Sequence, residues 1–397
     1  MKHQAILLRY LLLFACVSSA FAQNSTTGNS PNSTVFMGDS ITSMGNAYET
    51  NPSQTYGWGW TAQAVFLSNG RIQQLYNAGT PGNTTAQMLS RFQSDVIAYN
   101  PGTVVIMGGT NDATSGSFTT TALAATISNL QQMIEQAKKA NIQPILCTIP
   151  PRSDAANYNQ NVQMINGAIH KLAQSERILL VDFYSILVDP TTGVYKSGYD
   201  LGDGIHPSVT ADKAMAQFFI TATANLFGPT QEYLLQTQTD NTNLIANPLF
   251  LLPTTAWSTN GYGTSPAPTY ATVTGDSSIS GNWLSFTFPP GTAPGQNYSV
   301  NGPYATVTAG HHMAYSFKFQ ISGLEENGGY LNMGYAWGAS AFTYGYLTDT
   351  TGTFYIEFTA PNGTFVPGFF VYPTVTNSPI VLKIAQMSLV DLTNLGY

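Results

Sequence analysis

Charge is what this sequence has least of. Asp, Glu, Lys and Arg make up 8% of its 397 residues, against about a quarter in ordinary globular chains. Lys and Arg number 13 against 20 Asp and Glu, a formal net charge of −7. Basic residues are nowhere clustered. Neutralising phosphates requires such a cluster, so nucleic acid is excluded as a partner. Disorder is excluded too, because it pairs low hydrophobicity with high net charge, and 43% of this chain is hydrophobic. Cysteine is nearly absent, with Cys16 and Cys147 alone. If Cys16 leaves with an amino-terminal leader, no internal disulfide is expected. Cys147 sits in the apolar run Pro144–Ile149 and reads as an inert buried thiol. What remains is a folded chain with a neutral surface rich in hydroxyl and amide groups.

The amino terminus carries Lys2, His3 and Arg9, an apolar run from Tyr10 to Val17, and Ala20-Phe21-Ala22. This pattern predicts a secretory signal peptide over residues 1–22, cleaved before Gln23 and too short to span a bilayer as a mature helix. Leu13-Phe14-Ala15-Cys16 departs from a lipoprotein box at the bulky Phe14, which leaves lipid anchoring as the lesser alternative. The mature chain is therefore expected to be secreted or periplasmic, with no membrane span. Residues 23–33 read as a polar linker. The remaining length is too great for one ordinary core, so two domains are expected.

From residue 34 to 228, short apolar runs alternate with helical patterns. Val35–Met37, Ile72–Tyr76, Val104–Met107, Ile145–Ile149 and Ile178–Asp182 read as strands. Thr121–Ala140 places Leu123, Ile127, Leu130 and Ile134 on one helical face, and Asn159–Gln174 and Thr210–Leu226 read as two further helices. Strands alternating with helices predict a parallel α/β sheet covered on both faces. Ligands of such sheets bind beyond the carboxyl ends of the strands.

Four polar clusters fall at those ends. Gly38-Asp39-Ser40-Ile41 follows the first strand, Asn77-Ala78-Gly79 the second, and Gly109-Thr110-Asn111-Asp112 the third. Asp203-Gly204-Ile205-His206 precedes the last helix. A serine becomes a nucleophile only beside a base and an oxyanion site. Glycines let backbone N–H groups approach an oxyanion, and a side-chain amide such as that of Asn111 can add a donor. Asp203 and His206 are three apart, so the carboxylate can hold the imidazole while its other nitrogen reaches a serine. Taken singly, each cluster also reads as a turn, a helix cap or a surface loop. Their order and placement within one domain are what favour chemistry.

The four clusters resemble the signature blocks of the SGNH, or GDSL-like, hydrolase family. The resemblance covers roughly Thr34 to Phe227 and implies a flavodoxin-like three-layer α/β/α fold. It further implies Ser40 as nucleophile, His206 as general base and Asp203 as its orienting partner. The backbone N–H groups of Ser40 and Gly79 and the side chain of Asn111 would form the oxyanion hole. The family implies no cofactor and no metal. Asp39 and Asp112 are expected to be structural, and Asp182 is a rival to Asp203. A second Gly-Asp-Ser, at Gly275–Ser277, lacks a downstream Asp-x-x-His and reads as a turn.

After a polar linker at 229–242 the pattern changes. Over 243–397, Tyr270–Val273, Trp283–Phe288, Tyr315–Ile321, Tyr330–Tyr335, Phe354–Phe358 and Val381–Val390 read as short strands of an all-β sandwich. Asn243–Phe250 with Trp257, and the closing Ile384–Asp391, resemble the first and last strands of jelly-roll carbohydrate-binding modules. Trp257, Trp283, Tyr335 and Trp337 could stack on sugar rings, although aromatics in such a domain mostly fill the core. Trp58 and Trp60 follow the serine loop and read either as a wall of the substrate pocket or as packing for the next helix.

These readings together predict a secreted serine esterase that removes short acyl groups, O-acetyl above all, from polysaccharide. Its partner is an acylated carbohydrate or another small ester. One alternative is a glycan O-acetyltransferase using the same site. The other is a non-catalytic glycan-binding protein.

Overall fold

A computed structural model describes residues 30–44, 59–68, 70–114, 118–228, 242–252, 257–261, 266–290, 298–324, 330–337, 340–346, 349–360, 363–372 and 378–395. Among the described residues the first half holds five strands, β1 (Ser33–Gly38), β2 (Gln73–Gly79), β3 (Thr103–Met107), β4 (Gln143–Cys147) and β5 (Leu179–Val181). All pair in parallel, in the order β2-β1-β3-β4-β5. Every residue of β1 and β3 is buried, which is why these strands read as continuous apolar runs instead of alternating ones.

Among the described residues, eight α-helices belong to this half: α1 (Ser40–Ser43), α2 (Trp60–Leu67), α3 (Thr85–Ser90), α4 (Phe92–Asp95), α5 (Thr120–Lys139), α6 (Ala156–Glu176), α7 (Phe183–Leu187) and α8 (Val209–Ala222). Helices α2 and α8 pack together, and α5 packs against α3 and α6. In α5 the expected face is buried through Leu130 and Ile134, joined by Met133 and Ala137. Thr119 caps its start by accepting from the Ala122 N–H at 3.1 Å, and Lys138 and Lys139 sit in its last turn, both favourable to the helix dipole. The strand order is the flavodoxin-like one, whose connections reverse direction between β1 and β3. The loops after β1 and β3 therefore flank one crevice.

The second half forms two antiparallel sheets. One runs β14 (Thr350–Thr359), β11 (His312–Ser322), β16 (Ile380–Asp391), β8 (Trp283–Phe288), β7 (Thr269–Val273). The other runs β13 (Ser340–Tyr346), β12 (Tyr330–Trp337), β15 (Thr364–Tyr372), β9 (Tyr298–Asn301), β6 (Ser258–Gly261), with β10 (Ala305–Thr306) beside β15. A short α9 (Leu392–Leu395) follows β16. The sheets meet through aromatic rings: Phe369 of β15 lies 6.0 Å from Phe286 of β8 and 5.7 Å from Phe317 of β11.

Two expectations need correction. Asn243–Phe250 is not a strand but a series of turns touching Val390 by a single bridge. The asparagines explain this, because Asn243 Oδ1 accepts from Ile245 and Leu389, and Asn247 Oδ1 from Leu252. Side chains thus take the bonds a ladder would have made. Trp257 and Trp283 are core residues, 8% and 3% exposed, so neither presents a face to sugar. Trp257 packs on Phe286 and Phe369, and Trp283 Nε1 donates to Asp276 Oδ2 at 2.8 Å. That bond also makes Gly275–Ser277 the expected turn. The side chains of Tyr335 and Trp337 lie outside the described residues.

Helix α2 joins the halves. Its first five residues, Trp60 to Ala64, are all 9% exposed or less. A helix buried on every side must lie between two cores. Trp60 and Ala64 belong to the α/β core, whereas Ala62 belongs to the sandwich core, with Val65 packed against both. Beyond the helix, Gly70 (φ +78°) leaves no room for a Cβ, which would stand 2.7 Å from Tyr355 Cβ. A chain ending at Gly228 would put the Ala62 and Val65 face in water, a loss of roughly 2–3 kcal/mol. Its thermal midpoint is expected to fall by about 5–10 °C against the full chain. An unchanged midpoint would show that the halves are independent.

Candidate active site

Ser40 opens α1, directly after the buried strand β1. The turn is tight. A Cβ on Gly38 would collide with Thr42 Oγ1, and one on Gly79 with the Ser43 backbone nitrogen. Glycine at both positions lets the serine turn seat against the ends of β2 and β3. At the first helical position the Ser40 N–H has no carbonyl to bind within its own helix.

Asp203 and His206 reach Ser40 from the loop before α8. His206 Nε2 lies 2.9 Å from Ser40 Oγ, and its Nδ1 lies 2.6 Å from Asp203 Oδ2. The other Asp203 oxygen accepts the N–H groups of Ile205 and His206, each at 2.9 Å. Partial burial pushes the Asp203 carboxyl up. The His206 ring and these two N–H groups outweigh it and bring the carboxyl down to about 2, so it is ionised at any ordinary pH. With Nδ1–H donated to Asp203, Nε2 can accept the serine proton.

The expected oxyanion donors are partly engaged. The Gly79 N–H donates to Asn77 Oδ1 at 2.9 Å, while Asn77 Nδ2 binds the Thr42 carbonyl and Thr61 Oγ1. Asn111 Nδ2 donates one hydrogen to the Asn83 carbonyl at 3.0 Å, leaving its second. Asp112, as expected, is structural: it accepts from the Thr85 N–H and from the hydroxyls of Thr85 and Thr126. Asp182 is no rival to Asp203, since it binds Thr148 Oγ1 and caps α7 through Ser185. Cys147 is a free buried thiol whose pKa burial pushes up.

Trp60 is not a pocket wall. At 1% exposure it packs edge-on against Phe36, Phe183 and Phe219, the packing alternative left open above. Trp58 lies outside the described residues.

Two arginines that sequence reasoning passed over hold the site's loops. Arg152, 2% exposed, grips Asp154 with two nitrogens at 2.8 and 2.6 Å and donates to the Thr110 carbonyl at 3.0 Å. Ser153 and Asp154 donate their N–H groups to the Gly204 carbonyl. Arg152 thereby ties the Asn111 loop to the loop bearing Asp203 and His206. Arg91 donates to the Gly38 carbonyl and to Asn83 Oδ1, at 2.9 and 2.8 Å, joining the serine turn to the Asn111 partner. The one sequence signal was for Arg152: a rare cation directly after an apolar strand and two prolines.

Asp39 is the costly residue. It is 1% exposed, Oδ1 accepts from the Ile41 N–H at 3.0 Å, and Oδ2 has no hydrogen-bond partner among the described residues. Burial pushes its carboxyl up to about 6.

Residues 36–214, a little under half of the chain, match the family model of the GDSL-like Lipase/Acylhydrolase family. An uncharacterized lipoprotein of Bacillus subtilis is 34% identical over 155 residues, 38% of this chain and 58% of that protein. The match thus spans little more than half the length of that relative. Among solved structures, a GDSL-like lipase from Bacteroides thetaiotaomicron is 25% identical over 52% of this chain and 97% of that one, with a TM-score of 0.40. An acetylxylan esterase from Geobacillus stearothermophilus is 24% identical over 49% of this chain and 94% of that one, with a TM-score of 0.41.

Two outcomes are expected. Between pH 3.8 and about 6 the unfolded chain ionises Asp39 while the folded chain keeps it neutral. Its contribution to stability therefore falls as pH rises through that window, by about 3 kcal/mol, and is flat above it. Asp39→Asn should remove this slope from denaturant-derived stabilities measured at pH 4, 5, 6 and 7. Arg152→Ala should lower kcat roughly 10–100-fold with a smaller change in KM, as expected for misplacing loops by about an ångström. Unchanged kcat would show that Arg152 serves stability alone.

Proposed function

We propose that this chain is a serine esterase acting by two-step acyl transfer, with Ser40 as nucleophile, His206 as general acid–base and Asp203 as orienting carboxylate. The observation that carries this reading is the continuous hydrogen-bonded line from Ser40 Oγ through His206 to Asp203. The GDSL-like lipase/acylhydrolase match over 36–214 supports it.

In the first step Ser40 Oγ attacks the ester carbonyl carbon and its proton passes to His206 Nε2. The carbonyl oxygen, now anionic, takes hydrogen bonds from the Ser40 N–H and the second Asn111 N–H. The Gly79 N–H exchanges Asn77 Oδ1 for this stronger acceptor. Collapse expels the alcohol, which leaves with the His206 proton, and the acyl group stays on Ser40. In the second step water gives a proton to His206 Nε2 as its oxygen attacks the acyl carbon, and collapse breaks the bond to Ser40 Oγ, which takes the proton back from His206 as the acid leaves.

The substrate is an O-acetylated neutral polysaccharide. A chain with 8% charged residues offers little to an ionic ligand, and the appended sandwich suits glycan binding. That appendage is read here as a carbohydrate-binding domain over 243–397, following the hydrolase domain at 34–228. The signal-peptide pattern of residues 1–22 makes secretion part of the proposal.

Acetate release from a panel of acetylated polysaccharides tests this. One polymer should be deacetylated, and Ser40→Ala should lower kcat by at least about 10⁴-fold. Asn111→Ala should cost about 10²–10³-fold in kcat. Equal activity of Ser40→Ala and the unsubstituted chain would refute the proposal. Transfer of acetyl to added glycan in place of release would favour the transferase alternative.

A further inference from the structure

An oxyanion hole works only if its donors converge on one point, each about 3 Å from the developing charge. Here the three candidate donors come from three separate loops. The Ser40 N–H follows β1, the Gly79 N–H ends β2, and the Asn111 side chain follows β3. The sheet fixes these loops only at their roots. Misplacing one donor by about an ångström costs on the order of 10²-fold in rate, so the loops must also be set against one another.

Arg91 reaches all three, directly or through one further bond. It stands between α3 and α4, where its own N–H donates to the Met88 carbonyl and its carbonyl accepts the Asp95 N–H. Its guanidinium donates to three acceptors on three segments. Nη1 meets Asp95 Oδ2 at 2.8 Å, Nη2 the Gly38 carbonyl at 2.9 Å, and Nε Asn83 Oδ1 at 2.8 Å. An ion pair alone would occupy only the Asp95 side. The other two bonds go to uncharged atoms of the loops around Ser40.

Each of those atoms is next to a donor. The Gly38 carbonyl lies one peptide plane before the Ser40 N–H, and peptide planes move as rigid units. The same carbonyl accepts the Thr80 N–H at 3.1 Å, one plane after the Gly79 N–H. Asn83 gives its side-chain oxygen to Arg91 and its backbone carbonyl to Asn111 Nδ2 at 3.0 Å. The place of Asn83 therefore decides where the second Asn111 hydrogen points. Gly82, at φ +78°, lets the chain turn so that the Asn83 N–H meets the Thr80 carbonyl at 3.2 Å. A planar fork can hold such a set of acceptors in one frame, whereas the ammonium of lysine is a single point.

We propose that Arg91 is the positioning residue of the oxyanion hole, holding the serine turn, the Gly79 loop and the Asn111 amide in register through the Gly38 carbonyl and Asn83. This rests on the esterase reading. It differs from the role of Arg152, which ties down the loop of the base.

The test measures kcat and KM of the full chain on 4-nitrophenyl acetate, with the thermal midpoint of each variant as the check on folding. Arg91→Met should lower kcat by roughly 30-fold or more and change KM much less. Arg91→Lys should recover little of that loss, because the fork and not the charge does the holding. In a chain already carrying Asn111→Ala, Arg91→Met should cost clearly less than in the parent, since one donor it aligns is gone. A purely structural role would leave the two losses multiplying in full. Asn83→Ala serves as a second variant should the Arg91 variants fail to fold, and should lower kcat in the same way. The proposal is overturned if folded Arg91→Met or Asn83→Ala keeps kcat within twofold of the parent, if Arg91→Lys restores it, or if the losses multiply. Failure of the esterase reading looks different: the parent then leaves 4-nitrophenyl acetate untouched, or turns it over equally with Ser40→Ala.

Discussion

The hydrogen bond between His206 and Ser40 joins residues 166 positions apart, and most of the first half serves to make that meeting possible. Ser40 is fixed by β1, which is central enough to be buried along its whole length. His206 belongs to a loop with no strand of its own, so its position must be imposed by other means. Asp203 turns the loop inward by accepting its N–H groups, Gly204 takes a left-handed conformation (φ +75°) against the Asp154 backbone, and Arg152 holds Asp154. The Ser40–His206 geometry is thus a contact between the carboxyl end of a buried strand and a loop pinned by one buried cation.

Buried charge is spent sparingly in a chain that has so little. Arg152 is paired on both sides, which is the condition under which burying a cation is tolerable. Asp39 is not, and its lone oxygen beside the serine turn is a local cost the fold carries. Asp212 repeats the pattern at a distance: fully buried, it accepts the Trp60 N–H at 3.2 Å through one oxygen while the other has no hydrogen-bond partner among the described residues. Burial pushes its carboxyl well up. Both acids sit at the start of a helix that follows or flanks the site, α1 and α2, where a carboxylate suits the helix dipole.

Much of this was legible in the sequence for physical reasons. Strands β1, β3 and β4 announce themselves because strands covered on both faces are unbroken apolar runs, the edge strands β2 and β5 through shorter apolar stretches before polar loops, and α5 because one face repeats with helical spacing. Six sandwich strands were readable from short runs of Thr, Tyr, Phe and Val between turn residues, with ends within four residues, whereas β6, β9, β10, β13 and β15 were not singled out. The polar clusters at strand ends were legible because glycines and hydroxyls there have few other uses. What could not be read was everything that depends on distant partners. The arginine ties are single residues with no periodicity. Trp60 resembles a pocket aromatic until Phe36, Phe183 and Phe219 close around it. Asn243–Phe250 has strand composition, but its asparagine side chains satisfy the backbone locally. The shared helix α2 was anticipated only as the next helix after Trp58 and Trp60, and nothing local in Trp60-Thr-Ala-Gln-Ala-Val-Phe-Leu67 tells that two cores converge on it.

Acyl transfer through Ser40 requires a covalent bond between its Oγ and the acyl group. Intact-protein and peptide mass spectrometry after exposure to a fluorophosphonate or a slowly deacylated ester measures this most directly. One adduct per chain, on the peptide bearing Ser40 and lost on His206→Ala, is the predicted result. An adduct on Ser43 or Ser277 instead, or none under conditions where ester is consumed, would contradict it.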